Sequence, residues 1–124
     1  MAGSKKILII DDDARNIFAL KATLKTKGYA CITAAGAQEG IALMKQSGDI
    51  GIVLMDMMMP DMDGYEALTA IRHNEAINHI PVIALTAQAM KGDREKCLEA
   101  GANDYISKPV DVDKLLHLLN TYLN

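Results

Sequence analysis

Apolar and polar positions along this chain follow two alternating periods. Short apolar runs, of the kind carried by strands buried on both faces, give way to longer stretches with apolar residues three or four apart. The first run is Ile7, Leu8, Ile9 and Ile10. A helical pattern follows over residues 14–27, with Ile17, Leu20, Ala22 and Leu24 as its apolar positions. Gly28 ends that helix and Asp13 is placed to cap its start. Residues 29–34 mix apolar and polar side chains, which predicts an edge strand. Residues 37–46 predict a second helix with Ile41, Leu43 and Met44 inward. Gly40 within it costs about 1 kcal/mol relative to alanine and signals either close packing or simple tolerance.

The central strand covers residues 51–56, where Ile52, Val53, Leu54 and Met55 lead to Asp56. Met57, Met58, Met59, Pro60, Asp61, Met62 and Asp63 then form a loop punctuated by proline and by Gly64, which opens a helix over 64–72 carrying Tyr65, Leu68 and Ile71. Residues 81–85 predict a fourth strand, where Pro81 is acceptable at the first position and Thr86 marks the end. The helix over 91–100 has only Cys97, Leu98 and Ala100 as clear apolar contributors and should be the least firmly held. Residues 103–107 form a short strand ended by Lys108 and Pro109. The last helix, over 111–123, carries Val112, Leu115, Leu116, Leu118, Leu119 and Leu123.

Strands that alternate with helices imply right-handed crossovers and an α/β fold: a doubly wound parallel sheet with helices on both faces. Five strands suit the order 2-1-3-4-5, whose switch point lies between strands one and three. Asp11, Asp12 and Asp13 at the end of strand one therefore meet Asp56 at the end of strand three. Thr86 and Lys108, ending strands four and five, flank the same edge.

Composition removes several function classes. At 124 residues the chain is one domain of common size. Thirteen Lys plus Arg against 16 Asp plus Glu leave a net charge of −3, and much of that excess belongs to the acidic cluster itself. No basic stripe is present, and Phe18, Tyr29, Tyr65, Tyr105 and Tyr122, with no tryptophan, form no stacking platform; direct nucleic-acid binding is disfavoured. No run approaches the ~18–20 apolar residues that span a bilayer. The start leads straight into a strand without a signal-peptide core, so the expected location is cytoplasmic. Residues 1–4 read as a flexible tail or cloning remnant, and residues 5–124 as the folded domain, with no effector or kinase domain in this chain. Cys31 and Cys97 stand in no ligand or redox spacing and read as small buried or half-buried side chains.

Taken singly, Asp11, Asp12 or Asp13 would pass for a helix cap or turn former, Thr86 for a strand end and Lys108 for a solvated surface residue. Their coincidence at four strand ends on one edge points to a site. Crowded carboxylates need a cation, and oxygen ligands from Asp11, Asp12, Asp56 and a loop carbonyl suit Mg²⁺ while leaving positions open. The fitting chemistry is phosphoryl transfer to a carboxylate, with Asp56 as nucleophile, Lys108 on one phosphoryl oxygen and Thr86 on another. Met58 and Gln88, two residues beyond Asp56 and Thr86, border the path of a water that would remove the phosphoryl group.

Six stretches stand out in order: Ile7 through Asp13, Leu54 through Pro60, Met62-Asp63-Gly64, Pro81 through Ala87, Gly101-Ala102-Asn103-Asp104-Tyr105 and Lys108-Pro109. Together they resemble the receiver domain of two-component signalling, the response-regulator family, across residues 5–124. The resemblance implies a flavodoxin-like fold, Mg²⁺ held by Asp12 directly, by Asp11 often through water and by the Met58 carbonyl, and phosphorylation of Asp56. It further implies that Thr86 reports the phosphoryl group, Lys108 contacts it and Tyr105 acts as switch aromatic. Residues 87–93 resemble receivers attached to hybrid sensor kinases, a likeness that stand-alone regulators share. The implied partner is a histidine kinase or histidine-phosphotransfer protein. The rival reading is a small Mg²⁺-dependent phosphohydrolase with an aspartyl-phosphate intermediate, which would need a substrate pocket or cap.

Overall fold

The computed structural model describes residues 5–60, 62–86 and 92–123. Five strands alternate with five helices: β1 (Lys6–Ile10), α1 (Ala14–Thr26), β2 (Cys31–Ala34), α2 (Ala37–Gln46), β3 (Ile50–Asp56), α3 (Gly64–Arg72), β4 (Val82–Thr86), α4 (Asp93–Ala100), β5 (Asp104–Ser107) and α5 (Val112–Leu123). The strands form one sheet in the order β2-β1-β3-β4-β5, and every pairing is parallel. This is the expected doubly wound, flavodoxin-like arrangement. Among the described helices none is long and apolar enough to cross a membrane.

Strand alternation divides the apolar residues between two cores. Leu8, Ile10, Val53, Met55, Val82 and Ala84 face one side, where Ala37 and Met44 of α2, Ala67, Leu68 and Ile71 of α3 and Cys97 of α4 pack on them. Ile7, Ile9, Ile52, Leu54, Ile83, Leu85 and Ile106 face the other, under Leu24 of α1 and Leu115, Leu118 and Leu119 of α5. Continuous apolar runs are thus required, because each strand is covered twice; fully burying one such side chain stabilises the fold by about 1.5–3 kcal/mol.

Helix ends form where the chemistry of their residues directs. Asp13 caps α1, its Oδ1 accepting from Arg15 N at 2.9 Å. At the far end Gly28, at φ +92°, donates to Lys25 O while Tyr29 N donates to Leu24 O, the paired bonds of a Schellman motif. That closure uses Tyr29, so β2 starts only at Cys31, two residues later than the apolar pattern predicts. Ala22, expected inward, is exposed: it lies two residues from the buried Leu24, about 200° around the helix. Gly40 is a matter of close packing, since a Cβ there would press on Ile10 Cδ1 and lie 2.7 Å from its Cγ1. In α4, Cys97 is the buried residue among those whose side chains are described, consistent with the thin apolar face. Its expected start at Lys91 lies outside the described residues.

Beneath α3 the far end of the sheet is tied together by Arg72. Its Nε donates to Gly101 O at 2.8 Å, one terminal nitrogen to Asn78 O and Ile80 O, and the other to Asn103 Oδ1 at 2.7 Å. Asn103 Oδ1 also accepts from Val82 N at 2.9 Å, so one side chain joins the entrances of β4 and β5.

Candidate metal and phosphoryl site

Parallel pairing brings the C-terminal ends of β1, β3, β4 and β5 to one edge. Ile10 is in register with Met55, Asp56 with Leu85 and Thr86 with Ser107, so the residue following or ending each strand reaches the same rim. The carboxylates of Asp11, Asp12 and Asp56 converge there, with one oxygen from each lying within 4.8 Å of the others. Asp11 is buried, Asp12 exposed, and Asp56 only 5% exposed, which gives the cluster one solvent-facing side.

Each group is held by a local bond. Asp11 N–H donates to Ala34 O at 3.1 Å, and Asp11 Oδ1 accepts from Asp13 N at 2.9 Å. Asp56 Oδ1 accepts from Met58 N at 3.0 Å. Lys108 Nζ reaches both buried carboxylates, 3.3 Å from Asp11 Oδ2 and 3.6 Å from Asp56 Oδ2. Its own backbone N–H donates to Thr86 O at 2.6 Å, which locks the exits of β4 and β5 together. The Lys108–Pro109 peptide beside it is cis.

Burial pushes the Asp56 carboxyl above the ordinary carboxylate range. The Met58 amide and the Lys108 ammonium oppose that shift, while Asp11 adds to it. Asp13 behaves differently: the Arg15 amide holds its carboxyl below the usual range, as suits a helix cap. Among the described residues, three carboxylates against one ammonium leave the rim short of positive charge. An all-oxygen donor set with one open side fits Mg²⁺, which prefers carboxylates and keeps coordination positions for water and phosphate.

The sequence-derived residues separate in space. Asp11, Asp12, Asp56 and Lys108 stand together; Thr86, nearly buried, ends β4 beside them. Tyr105 lies opposite Ala84 on β5, half-buried on the face covered by α2, α3 and α4. Thr86 is two residues past Ala84, so its side chain shares that face with Tyr105. The methionine run divides: Met57 and Met59 are buried in the core, whereas the Met58 side chain is 71% exposed at the rim. Gln88 lies outside the described residues. Sequence reasoning missed the cap of α3, where Asp63 Oδ1 accepts from Glu66 N at 2.9 Å; the signal was an Asp-Gly pair opening an apolar-periodic stretch. It also missed the Met58 amide on Asp56.

A groove of about 240 Å³ adjoins the cluster, lined in part by Asp11, Asn16, Leu20, Lys108 and Val112.

Fold and site define a phosphoryl-accepting switch. The response regulator receiver domain model matches residues 7–120, and the chain belongs to that family. It is 38% identical over 125 residues to the hybrid signal transduction histidine kinase I of Dictyostelium discoideum, covering 96% of this chain and 7% of that protein's length. Its fold matches the receiver domain of a sensor histidine kinase from Pseudomonas aeruginosa with a magnesium ion coordinated in the active site cleft. The TM-score is 0.87 and the identity 35%, with 97% of this chain and 98% of that one covered. It also matches the receiver domain of a Saccharomyces cerevisiae response regulator co-crystallised with its histidine phosphotransfer protein, at TM-score 0.87 and 28% identity, with 96% of this chain and 88% of that one covered. The acidic cluster is therefore a Mg²⁺-binding phosphoacceptor site, and the domain takes part in its own phosphorylation and dephosphorylation.

Proposed function

We propose that Asp56 is the phosphoacceptor and that its donor is a phosphohistidine on a histidine kinase or a histidine-phosphotransfer protein. The observation that carries this reading is the lysine bridge: Lys108 Nζ lies within 3.6 Å of both Asp11 and Asp56, and one open side of the cluster faces solvent. A carboxylate oxygen of Asp56 forms the new bond to phosphorus. The bond from phosphorus to the donor imidazole nitrogen breaks, and its electron pair stays with the imidazole. Asp11, Asp12, Asp56 and the Met58 carbonyl would hold Mg²⁺, which when bound would supply charge neutralisation for the transferring group. Lys108 then exchanges a carboxylate partner for a phosphoryl oxygen, so its charge is already in place when the phosphoryl group arrives.

Thr86 donates its hydroxyl to another phosphoryl oxygen, and the space it leaves lets Tyr105 change its burial. The response falls on α4, β5 and α5, with the thinly packed α4 as mobile member. Met58 tunes the lifetime of the acyl phosphate by limiting the access of water rather than as a base, and Gln88 orients that water weakly. Residues 5–124 act as one receiver, working in the cytoplasm beside its phosphodonor. Intact-mass measurement with a small phosphodonor and Mg²⁺ tests the assignment. Wild type should gain one phosphoryl group that hydroxylamine removes, as an acyl phosphate requires, and Asp56→Asn none; equal labelling of both would exclude Asp56.

A further inference from the structure

The loop after Asp56 is closed by one backbone hydrogen bond and one absent side chain. Gly64 N–H donates to Met57 O at 3.1 Å, and Met57 N–H donates to Leu85 O at 2.9 Å. Gly64 is buried at the first position of α3. A Cβ built on it would press on Met57 Sδ and would stand 2.7 Å from both Met57 Cε and Met57 Cα. The side-chain atoms can swing aside. Met57 Cα cannot, because the residue is held on one side by β4 and on the other by Gly64 itself.

Backbone conformation does not explain the glycine. Gly64 is not among the positive-φ glycines, so alanine could adopt its dihedrals and would raise helix propensity. Space alone demands it. The next residue after Met57, Met58, is the one whose amide binds Asp56 Oδ1 at 3.0 Å.

We propose that Gly64 is a positioning residue for the metal and phosphoryl site: lacking a side chain, it lets the first turn of α3 rest against the Met57 backbone and so sets Met58, whose amide and carbonyl both serve the cluster. The inference rests on the ligand set assigned above. A displaced Met57 carries the Met58 peptide with it, lengthening the hydrogen bond that Met58 N–H donates to Asp56 Oδ1 and moving the carbonyl away from the metal position. Gly40 provides a contrast, because its absent Cβ faces only the side chain of Ile10.

The test compares wild type with Gly64→Ala, with Met57→Ala/Gly64→Ala and with Gly40→Ala. Melting temperature is measured without metal, Mg²⁺ affinity by amide NMR titration, and the initial phosphorylation rate by intact mass. Gly64→Ala should weaken Mg²⁺ about tenfold, the range for loss of a group supporting a metal ligand, and slow phosphorylation in step. The double variant should lose further stability, since the Met57 side chain is buried in the core, yet keep the same weak affinity, since the new methyl group still presses on the Met57 backbone. Gly40→Ala should lose stability and keep affinity. Wild-type affinity in Gly64→Ala would overturn the proposal, as would full recovery of affinity in the double variant. So would failure of both Gly64 variants to fold, which would make Gly64 a residue of the fold alone. Absence of Mg²⁺ binding by wild type would instead overturn the ligand assignment.

Discussion

Replacing Lys108 with alanine removes the positive charge that two buried carboxylates share. At 3.3 and 3.6 Å, and at an effective dielectric constant of about 20, each contact carries a Coulombic attraction of about 5 kcal/mol. Desolvation of the ammonium takes back most of that gross figure. Truncating one partner of a buried pair costs about 3–5 kcal/mol in general. Lys108 keeps 22% side-chain exposure, and Asp56 can take up a proton, so the loss here should be nearer 2–3 kcal/mol. For a domain of this size that lowers the metal-free melting temperature by about 8–12 °C. Mg²⁺ should narrow the gap, because the ion supplies the missing charge and binds the variant more tightly once the competing ammonium is gone. Saturation at 100 times Kd adds about 2.7 kcal/mol to any form that binds, and the variant reaches it at lower concentration. Calorimetry of both proteins across a Mg²⁺ series is the assay. Equal metal-free stability, or a gap that Mg²⁺ leaves unchanged, would refute the claim that Lys108 acts as a built-in counter-ion.

Asp56→Asn should raise metal-free stability at neutral pH, because burial raises the carboxyl's folded pKa. The native state then binds the proton more tightly than the unfolded chain, so wild-type stability falls as pH rises through the window above the ordinary value near 4, and the advantage of asparagine should vanish on acidifying into that window. Denaturant midpoints from pH 4 to 7 check the sign; an asparagine variant less stable than wild type at neutral pH without metal contradicts it. Thr86→Ala should leave Asp56 phosphorylation largely intact while weakening the shift around Tyr105 and α4, a coupling of about 1–3 kcal/mol read from amide NMR with and without phosphoryl. Identical large shifts in both proteins would remove Thr86 from the coupling. Met58→Asn, at a side chain that is 71% exposed, should change phosphoryl lifetime while altering stability by less than about 0.5 kcal/mol, and an unchanged decay rate would show that this side chain does not gate water.

Local pattern was enough to place the strands, most of the helix ends and the edge at which the carboxylates meet. A run such as Ile7 to Ile10 can be satisfied only by a strand covered twice, and alternating strands and helices leave few topologies open. Asp13 was legible as a cap because capping depends on a neighbouring backbone amide. Ala22 was misread because a list of apolar residues is weaker than their angles around the helix. Pattern within each stretch therefore set the direction of side chains relative to their own element, and the topological neighbours those elements acquire. Packing of the whole fold settled how closely elements approach. It placed one lysine between Asp11 and Asp56, divided the methionine run into two core residues and one exposed at the rim, pressed Gly40 on Ile10 and Gly64 on Met57, and gave Arg72 four acceptors at the far end of the sheet. Such contacts depend on the rotation and spacing of packed elements. These are set jointly by many side chains filling a dense interior, and no single stretch of sequence encodes them.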